Sequence, residues 1–213
     1  MPKPPTVEKF SFTGPAGNLE ALLEVPETRP VGVTVVCHPH PQHGGTMQNK
    51  VAHTLARSFL KLDFAALRFN FRGIGSSDGE FADGVGEAKD ALAAVNEARR
   101  RFPDVPLWLA GFSFGAAMAI RIAEEAKANG LVSIAPAAHR FAGKLEHQPS
   151  CPWLIVHAEA DELIPIDESI QWVDGLDPGP ELVVFPETSH YFHGQLVRLR
   201  DTVEAFVNRA NAA

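Results

Sequence analysis

One serine between two glycines constrains this chain more than any other feature, in the run Gly111-Phe112-Ser113-Phe114-Gly115. An apolar run typical of a buried strand precedes it, and an alanine-rich run that favours a helix follows it. A serine between such a strand and helix lies on a sharp, strained turn that exposes its hydroxyl. We expect glycine at 111 and 115 because side chains there would collide where strand and helix approach each other. The pattern indicates a serine nucleophile.

Strands and helices alternate along the rest of the chain. The order predicts an opening antiparallel hairpin, then a mainly parallel, twisted sheet of about eight strands with helices on both faces. Helix caps are expected at Thr46 or Asn49 and at Asp167, and Gly130 is expected to end the helix after the serine. The predicted strands cover 7–12, 19–25, 31–37, 64–69, 107–111, 131–135, 153–157 and 182–185, and the predicted helices cover 51–62, 83–102, 114–128, 167–176 and 196–206.

Length and composition narrow the class of protein. The 213 residues suit one domain over 1–213, with a loose proline-rich tail at 1–5. A formal charge of −7 argues against binding to nucleic acid. We expect no secretory signal at the N-terminus, and no apolar run reaches membrane-spanning length. Two cysteines, Cys37 and Cys151, fit a reducing compartment. We therefore expect a soluble, cytoplasmic protein that does not bind membranes.

A serine nucleophile needs a base that takes its proton and an acid that orients the base. The best base is His190, in the loop after the last predicted strand, and His193 is its rival in the same loop. The best acid is Asp161, in the loop after the strand that ends at His157. Two glutamates, at 159 and 162, flank it. In a parallel sheet these loops meet at one edge, and the order serine, aspartate, histidine is the one expected for this fold.

Several motifs follow one another in this order: His38-Pro39-His40-Pro41 with Gly44-Gly45-Thr46-Met47, Asn70-Phe71-Arg72-Gly73-Ile74-Gly75-Ser76-Ser77, the serine turn, Asp161 before Ile164-Pro165, and Ser189-His190-Tyr191-Phe192. Together they resemble the α/β-hydrolase superfamily from about residue 31 to residue 206. The resemblance is to small, lidless bacterial serine hydrolases close to the dienelactone-hydrolase-like proteins. Dienelactone hydrolases proper have a cysteine nucleophile where this chain has serine, so their substrate is not carried over.

The resemblance implies roles for particular residues. Ser113, Asp161 and His190 match the nucleophile, acid and base of the family. The backbone N–H of Phe114 is the expected first donor to the oxyanion. The second donor is expected from the loop after the strand at 31–37, where prolines have no N–H. The N–H of His40 is the first candidate there, and that of Gln42 is the second.

Two other interpretations of these loops are weaker. Three histidines, at 38, 40 and 43, could approach one metal ion, but a rigid oxyanion-hole turn explains the loop without a metal. Gly73-x-Gly75-x-x-Asp78 follows a strand, yet it has aspartate where a dinucleotide-binding motif has its third glycine. The resemblance makes it a structural loop beside the serine turn. We therefore expect no metal and no cofactor.

The sequence thus predicts a carboxylesterase-like serine hydrolase that cleaves small or short-chain acyl esters, thioesters or lactones. The segment 136–150 is too short for a helical lid, so an open, shallow site is expected. Its walls are predicted to be aromatic: Phe112, Phe114, Trp153, Tyr191 and Phe192. Alternative functions are a peptidase or acyltransferase that uses the same residues, and a binding protein that has lost turnover. The only expected partners are a small acyl substrate and, at most, a second copy of the chain.

Overall fold

The computed structural model describes residues 4–142 and 148–212, which form eight β-strands, six α-helices and one short 3₁₀ turn. The strands are β1 (Thr6–Gly14), β2 (Gly17–Val25), β3 (Gly32–Cys37), β4 (Phe64–Phe69), β5 (Leu107–Phe112), β6 (Gly130–Ile134), β7 (Trp153–Ala158) and β8 (Glu181–Phe185). The helices are α1 (Lys50–Lys61), α2 (Val85–Arg101), α3 (Phe114–Ile122), α4 (Ala138–Phe141), α5 (Ile166–Asp174) and α6 (Leu196–Ala212).

All eight strands belong to one sheet, in the order β1-β2-β4-β3-β5-β6-β7-β8. β1 and β2 form an antiparallel hairpin, and β2 joins β4 in an antiparallel pair. Every other pair of neighbouring strands is parallel. This arrangement confirms the predicted fold class. It also places the loops that follow the parallel strands at one edge of the sheet.

Helices cover both faces of the sheet. α1 and α6 pack on one face, and α2 and α3 pack on the other. Successive residues of β5 alternate between these layers: Leu109 belongs to the core under α2 and α3, while Trp108 and Ala110 belong to the core under α1 and α6. Burial on both faces explains why the central strands are apolar without interruption.

The structure decides between Thr46 and Asn49, the two residues predicted as the N-cap of α1. Asn49 caps this helix, because its Oδ1 accepts hydrogen bonds from the N–H of Val51 at 2.9 Å and of Ala52 at 3.3 Å. Thr46 instead accepts the N–H of Gln48 at 3.2 Å, in the turn before the helix. The cap therefore satisfies two of the donors that a helix start leaves free.

The predicted end of the helix after Ser113 is wrong. α3 ends at Ile122 and not at 128, because turns follow it and Lys127 has a left-handed φ of 44°. Asn129 then pairs with Leu107: its N–H donates to the Leu107 oxygen at 2.7 Å, and its Oδ1 accepts the Leu107 N–H at 2.9 Å. Gly130 is consequently the first residue of β6. Sheet pairing here overrides the helix propensity of the alanines.

The start of α5 and the segment after β6 also differ from the prediction. The N-cap of α5 is Pro165. Asp167 lies in the first helical turn, where its negative charge interacts favourably with the positive end of the helix dipole. The segment 136–150 contains the short helix α4, which the sequence did not predict. Part of that segment, 143–147, and residues 1–3 of the predicted tail lie outside the described residues. In the described part of the chain, no helix has the length and apolar character needed to cross a bilayer.

Candidate active site

Ser113 lies between β5 and α3 in a backbone conformation that L-residues rarely adopt, with φ 54° and ψ −116°. Its N–H donates to the oxygen of Ile134 at 2.8 Å. Its own carbonyl oxygen accepts the N–H of Ala117 at 3.1 Å and of Ala137 at 3.2 Å. Bonds from β6, α3 and the loop before α4 thus hold the strained turn in place.

The two flanking glycines are required by packing. A Cβ on Gly111 would lie 2.4 Å from the oxygen of Gly115. A Cβ on Gly115 would lie 2.3 Å from the carbonyl oxygens of both Cys37 and His38. These obstacles are backbone atoms that cannot rotate away. The collision expected from the sequence is therefore present at both positions.

Gly115→Ala is expected to destabilise the fold by about 3 kcal/mol or more, the upper end of overpacking costs, because α3 must move away from β3. Chemical unfolding measures this loss. Gly175→Ala is a matched control, since that glycine has a φ of −82° and its Cβ would meet nothing closer than 3.4 Å. Equal stability of the two variants would contradict the packing argument.

Three side chains from separate loops meet at the carboxyl edge of the sheet. His190 Nε2 lies 3.1 Å from Ser113 Oγ, and His190 Nδ1 lies 2.7 Å from Asp161 Oδ2. An ionised carboxylate only accepts, so Nδ1 carries the ring proton and Nε2 accepts the serine hydroxyl. The structure thus brings together the nucleophile, acid and base candidates in the order that base catalysis requires.

Three donors hold the carboxylate of Asp161: two backbone N–H groups of its own loop and the ring N–H of His190. Its Oδ1 accepts the N–H of Leu163 at 2.9 Å and of Ile164 at 2.8 Å. Burial raises the pKa of this carboxyl, but the hydrogen bonds from His190 and from the two backbone N–H groups outweigh burial and leave the pKa below its usual value. Asp161 is therefore ionised at neutral pH and fixed in orientation.

The rival candidates lie elsewhere. His193 is exposed, with its ring 6.0 Å from that of Tyr191. Glu159 accepts the N–H of Glu187 at 2.9 Å, which ties the two loops together. Glu162 accepts the backbone N–H of His190 at 3.0 Å and so supports the loop that carries the imidazole.

His157, at the end of β7, is a supporting residue that the sequence prediction did not include. Its Nε2–H donates to the oxygen of Ile164 at 3.0 Å, and the N–H of Ile164 donates to Asp161. Burial lowers the pKa of His157, so the ring is neutral. The available signal was a histidine in an otherwise apolar strand, four residues before the acid.

The two residues predicted to supply the oxyanion donors, Phe114 and His40, line the same pocket as Ser113. The N–H of Phe114 is the first of α3, where a helix has no internal acceptor. The oxygen of His40 accepts the N–H of His43 at 3.1 Å and of Gly45 at 3.0 Å, which closes the turn around His40. The N–H of Gln42 is already engaged by His40 Nδ1 at 3.2 Å, which favours His40 over Gln42 as the second donor.

A pocket of about 400 Å³ opens above Ser113 and His190. Phe114 and Tyr191 line it, as predicted, whereas Phe112 lies beside the His190 ring at 5.0 Å. The prediction is wrong for Trp153, which packs on Trp172, and for Phe192, which is buried against Phe185. Lining residues that the sequence did not indicate are Asn49, Ala137, Arg140, Phe141, Leu163 and Ile164.

Comparison with known proteins identifies the family. Residues 28–144 match the model of the hydrolase family described as serine aminopeptidase, S33. The chain belongs to this family of α/β-hydrolases. An uncharacterized protein of Rickettsia prowazekii, RP471, is 31% identical over 162 residues, which cover 74% of this chain and 68% of the relative.

Two solved structures show the same fold over nearly the whole chain. An alpha-beta serine hydrolase homologue from Coxiella burnetii is 39% identical, with a TM-score of 0.87 over 93% of this chain and 96% of the other. XC6422 from Xanthomonas campestris, an α/β serine hydrolase without lid, is 36% identical, with a TM-score of 0.90 over 98% and 96%. The superfamily and the hydrolase class expected from the motifs are thereby confirmed.

In this hydrolase, His38 has a structural position rather than a place in the pocket. Its buried ring donates Nδ1–H to the oxygen of Pro39 at 2.6 Å and accepts the N–H of Phe71 at Nε2, 3.0 Å away. Both ring nitrogens are engaged within the protein. The ring therefore has no free nitrogen for a metal and serves to join the loop after β3 to the loop after β4.

His38 is expected to make the stability of the hydrolase depend on pH. Burial lowers its pKa to about 4, while the unfolded histidine titrates near 6.5. The unfolded chain therefore takes up the proton first, and stability is lost as the pH falls from 6.5 towards 4. At about 1.4 kcal/mol per unit, the expected loss is roughly 2 kcal/mol between pH 6.5 and 5.

Unfolding measured across this range checks the expectation. His38→Gln should flatten the profile, although it lowers stability overall. His193→Gln, at an exposed site, should keep the wild-type slope. Equal slopes in the two variants would show that another group causes the pH dependence.

The glycine-rich loop after β4 is tied to its surroundings. Arg72 forms a bidentate pair with Asp90 of α2, at 2.9 and 2.7 Å. Asp78 accepts the N–H of Asn18 at 2.7 Å, which connects the loop to the opening hairpin. These bonds fit the structural role implied by the resemblance.

Proposed function

We propose that this protein is a serine esterase that cleaves small carboxylic esters through Ser113, His190 and Asp161. The observation that carries the proposal is the continuous hydrogen-bonded chain from Ser113 Oγ through His190 to Asp161, at 3.1 and 2.7 Å. Free serine is a weak nucleophile at neutral pH, and this chain supplies the base that activates it.

In the first half-reaction, Ser113 Oγ forms a bond to the ester carbonyl carbon while its proton moves to His190 Nε2. The carbonyl oxygen becomes an oxyanion, which the N–H groups of Phe114 and His40 would bind. When the tetrahedral intermediate collapses, the bond to the alcohol oxygen breaks. His190 gives the proton to that oxygen, and the alcohol leaves an acyl-enzyme.

In the second half-reaction, water takes the place of the alcohol. His190 accepts a proton from the water, whose oxygen attacks the acyl carbon. Collapse of the second intermediate breaks the bond to Ser113 Oγ and returns the proton to it. Asp161 stays ionised throughout and stabilises the imidazolium formed in each half-reaction.

The pocket favours short acyl groups. It encloses about 400 Å³, which is near the lower end of the range for small-molecule sites. Its apolar wall comes from Phe114, Phe141, Leu163 and Ile164. Thioesters and lactones have the same electrophilic carbon and fit the same mechanism.

Amide cleavage is the second candidate, because the matching family is described as serine aminopeptidase. The same residues can form an acyl-enzyme from an amide, provided that His190 protonates the departing nitrogen. Amides are less reactive than esters, so ester cleavage without amide cleavage would favour the first candidate.

Labelling with a fluorophosphonate and a series of 4-nitrophenyl esters test the proposal. We expect stoichiometric labelling of Ser113 and the highest kcat/KM for acetate to butyrate, with a decline at octanoate and decanoate. Aminoacyl 4-nitroanilides test the amide candidate in the same assay. Failure of the folded protein to react with the fluorophosphonate would overturn both.

A further inference from the structure

Among the residues described as lining the pocket, Arg140 is the one with a permanently charged side chain. The chain has a formal charge of −7, yet the described lining of the pocket contains no aspartate or glutamate. It contains instead one arginine and three histidines: Arg140, His40, His43 and His190. The ionised Asp161 lies behind His190, but no carboxylate belongs to the described lining, so an anionic ligand would meet Arg140 as its charged partner.

Arg140, on α4, is the cation of this lining. The Nε of Arg140 lies 3.0 Å from Nε2 of its neighbour His139. This His139 nitrogen lies 2.7 Å from a carboxylate oxygen of Glu168. The carboxylate of Glu168 is thus directed to the imidazole. The terminal Nη groups of Arg140 have no hydrogen-bond partner among the described residues. Arg140 also lines the pocket, and we infer that these groups can reach a ligand there.

The position of α4 indicates which part of an ester would meet Arg140. The ring of Phe141 lies 4.9 Å from that of Phe114 and 5.4 Å from that of His40, the two residues proposed above as oxyanion donors. The departing alcohol must lie towards His190, which protonates it. Arg140 precedes Phe141 on α4, so we assign the acyl chain to the side of the pocket that α4 forms.

We propose that the pocket selects half-esters of dicarboxylic acids, with the free carboxylate of the acyl chain bound by Arg140. This inference rests on the proposed esterase function and names its substrate class. The apolar wall would contact the methylene groups between the two carboxyl carbons. A guanidinium binds a carboxylate through two parallel N–H···O bonds, which favours it over a neutral chain end.

Monoethyl glutarate and ethyl pentanoate form a matched pair of substrates, because their acyl chains are equally long and only one is charged. Alkyl esters avoid the rapid self-cleavage that a neighbouring carboxylate causes in aryl esters. With acid release measured in a pH-stat, we expect wild-type kcat/KM to favour the anionic ester by about ten- to hundredfold. Added salt should reduce the ratio.

Arg140→Gln is the decisive variant. Because the side chain is exposed, the variant should fold normally. It should lose most of the preference, because KM should rise much more for monoethyl glutarate than for ethyl pentanoate. Arg140→Glu should reverse the preference. Arg209→Gln, at an exposed residue of α6 paired with Glu181, is the control and should match wild type.

Failure of this inference and failure of the esterase proposal give different results. If ethyl pentanoate is cleaved but the substrate ratio is the same in wild type and Arg140→Gln, only the inference is wrong. A preference for an anion placed on the alcohol side would also overturn it. If neither ester is cleaved and the fluorophosphonate does not react, the esterase proposal itself fails.

Discussion

Ser113→Ala is expected to lower kcat for short-chain esters by a factor on the order of 10⁶ and to abolish fluorophosphonate labelling. Alanine lacks the oxygen that forms the acyl-enzyme, and among the described residues only the Ser113 hydroxyl is hydrogen-bonded to His190. The substitution keeps a Cβ, so it leaves the strain of the turn, at φ 54°, unchanged. Stability should therefore remain near that of wild type while activity disappears.

The control for this variant is Ser76→Ala. Ser76 is exposed in the loop after β4, where its backbone N–H, and not its side chain, donates to Glu20. We expect wild-type labelling and turnover from it. Mass spectrometry of the labelled protein locates the modified residue. Persistent labelling of Ser113→Ala at another serine would contradict the assignment of the nucleophile.

Asp161→Asn is expected to reduce kcat by about 10⁴-fold, the effect seen when a triad acid becomes an amide. Oδ1 accepts two backbone N–H groups, from Leu163 and Ile164, so the amide oxygen must take that position. The NH₂ group then faces His190 Nδ1, which lies 2.7 Å from Oδ2. Two donors cannot share this bond, so the ring proton moves to Nε2, where it blocks acceptance of the proton from Ser113.

Steady-state kinetics of short-chain ester hydrolysis measure this loss, and Asp167→Asn supplies the comparison. Asp167 is an exposed aspartate in the first turn of α5, and its amide variant should retain wild-type kcat. Asp161→Asn should still fold, since the amide oxygen preserves the two backbone bonds. If it keeps more than about a tenth of wild-type kcat, the tautomer argument is wrong.

Much of the site could be predicted because its signals are local or follow from topology. The serine turn is specified within five residues, by glycines whose neighbours leave no room for a Cβ. The acid and base lie far from it in sequence, but each follows a parallel strand. In a parallel sheet such loops meet at the same edge, so strand order alone brought Asp161 and His190 to Ser113.

Other features depended on contacts between distant segments, which local patterns do not encode. The alanine-rich run after Ser113 favours a longer helix, yet Asn129 must pair with Leu107, and this ends α3 early. Trp153 was expected at the pocket because aromatic residues suit such walls. It is instead buried, and its Nε1–H donates to Ser133 at 3.0 Å.

The sequence by itself therefore determined the fold class, the serine turn and the order of the three reactive side chains. Hydrophobic periodicity, the steric demands at the glycines and the order of the strands can all be inferred from the order of the residues. Only the tertiary structure showed that Arg140 faces the pocket, that His157 supports the Asp161 loop and that His38 joins two loops. These roles arise where the segment after β6 folds against α3 and where neighbouring loops pack. The residues in such contacts have no characteristic separation in the sequence, so a sequence pattern does not reveal them.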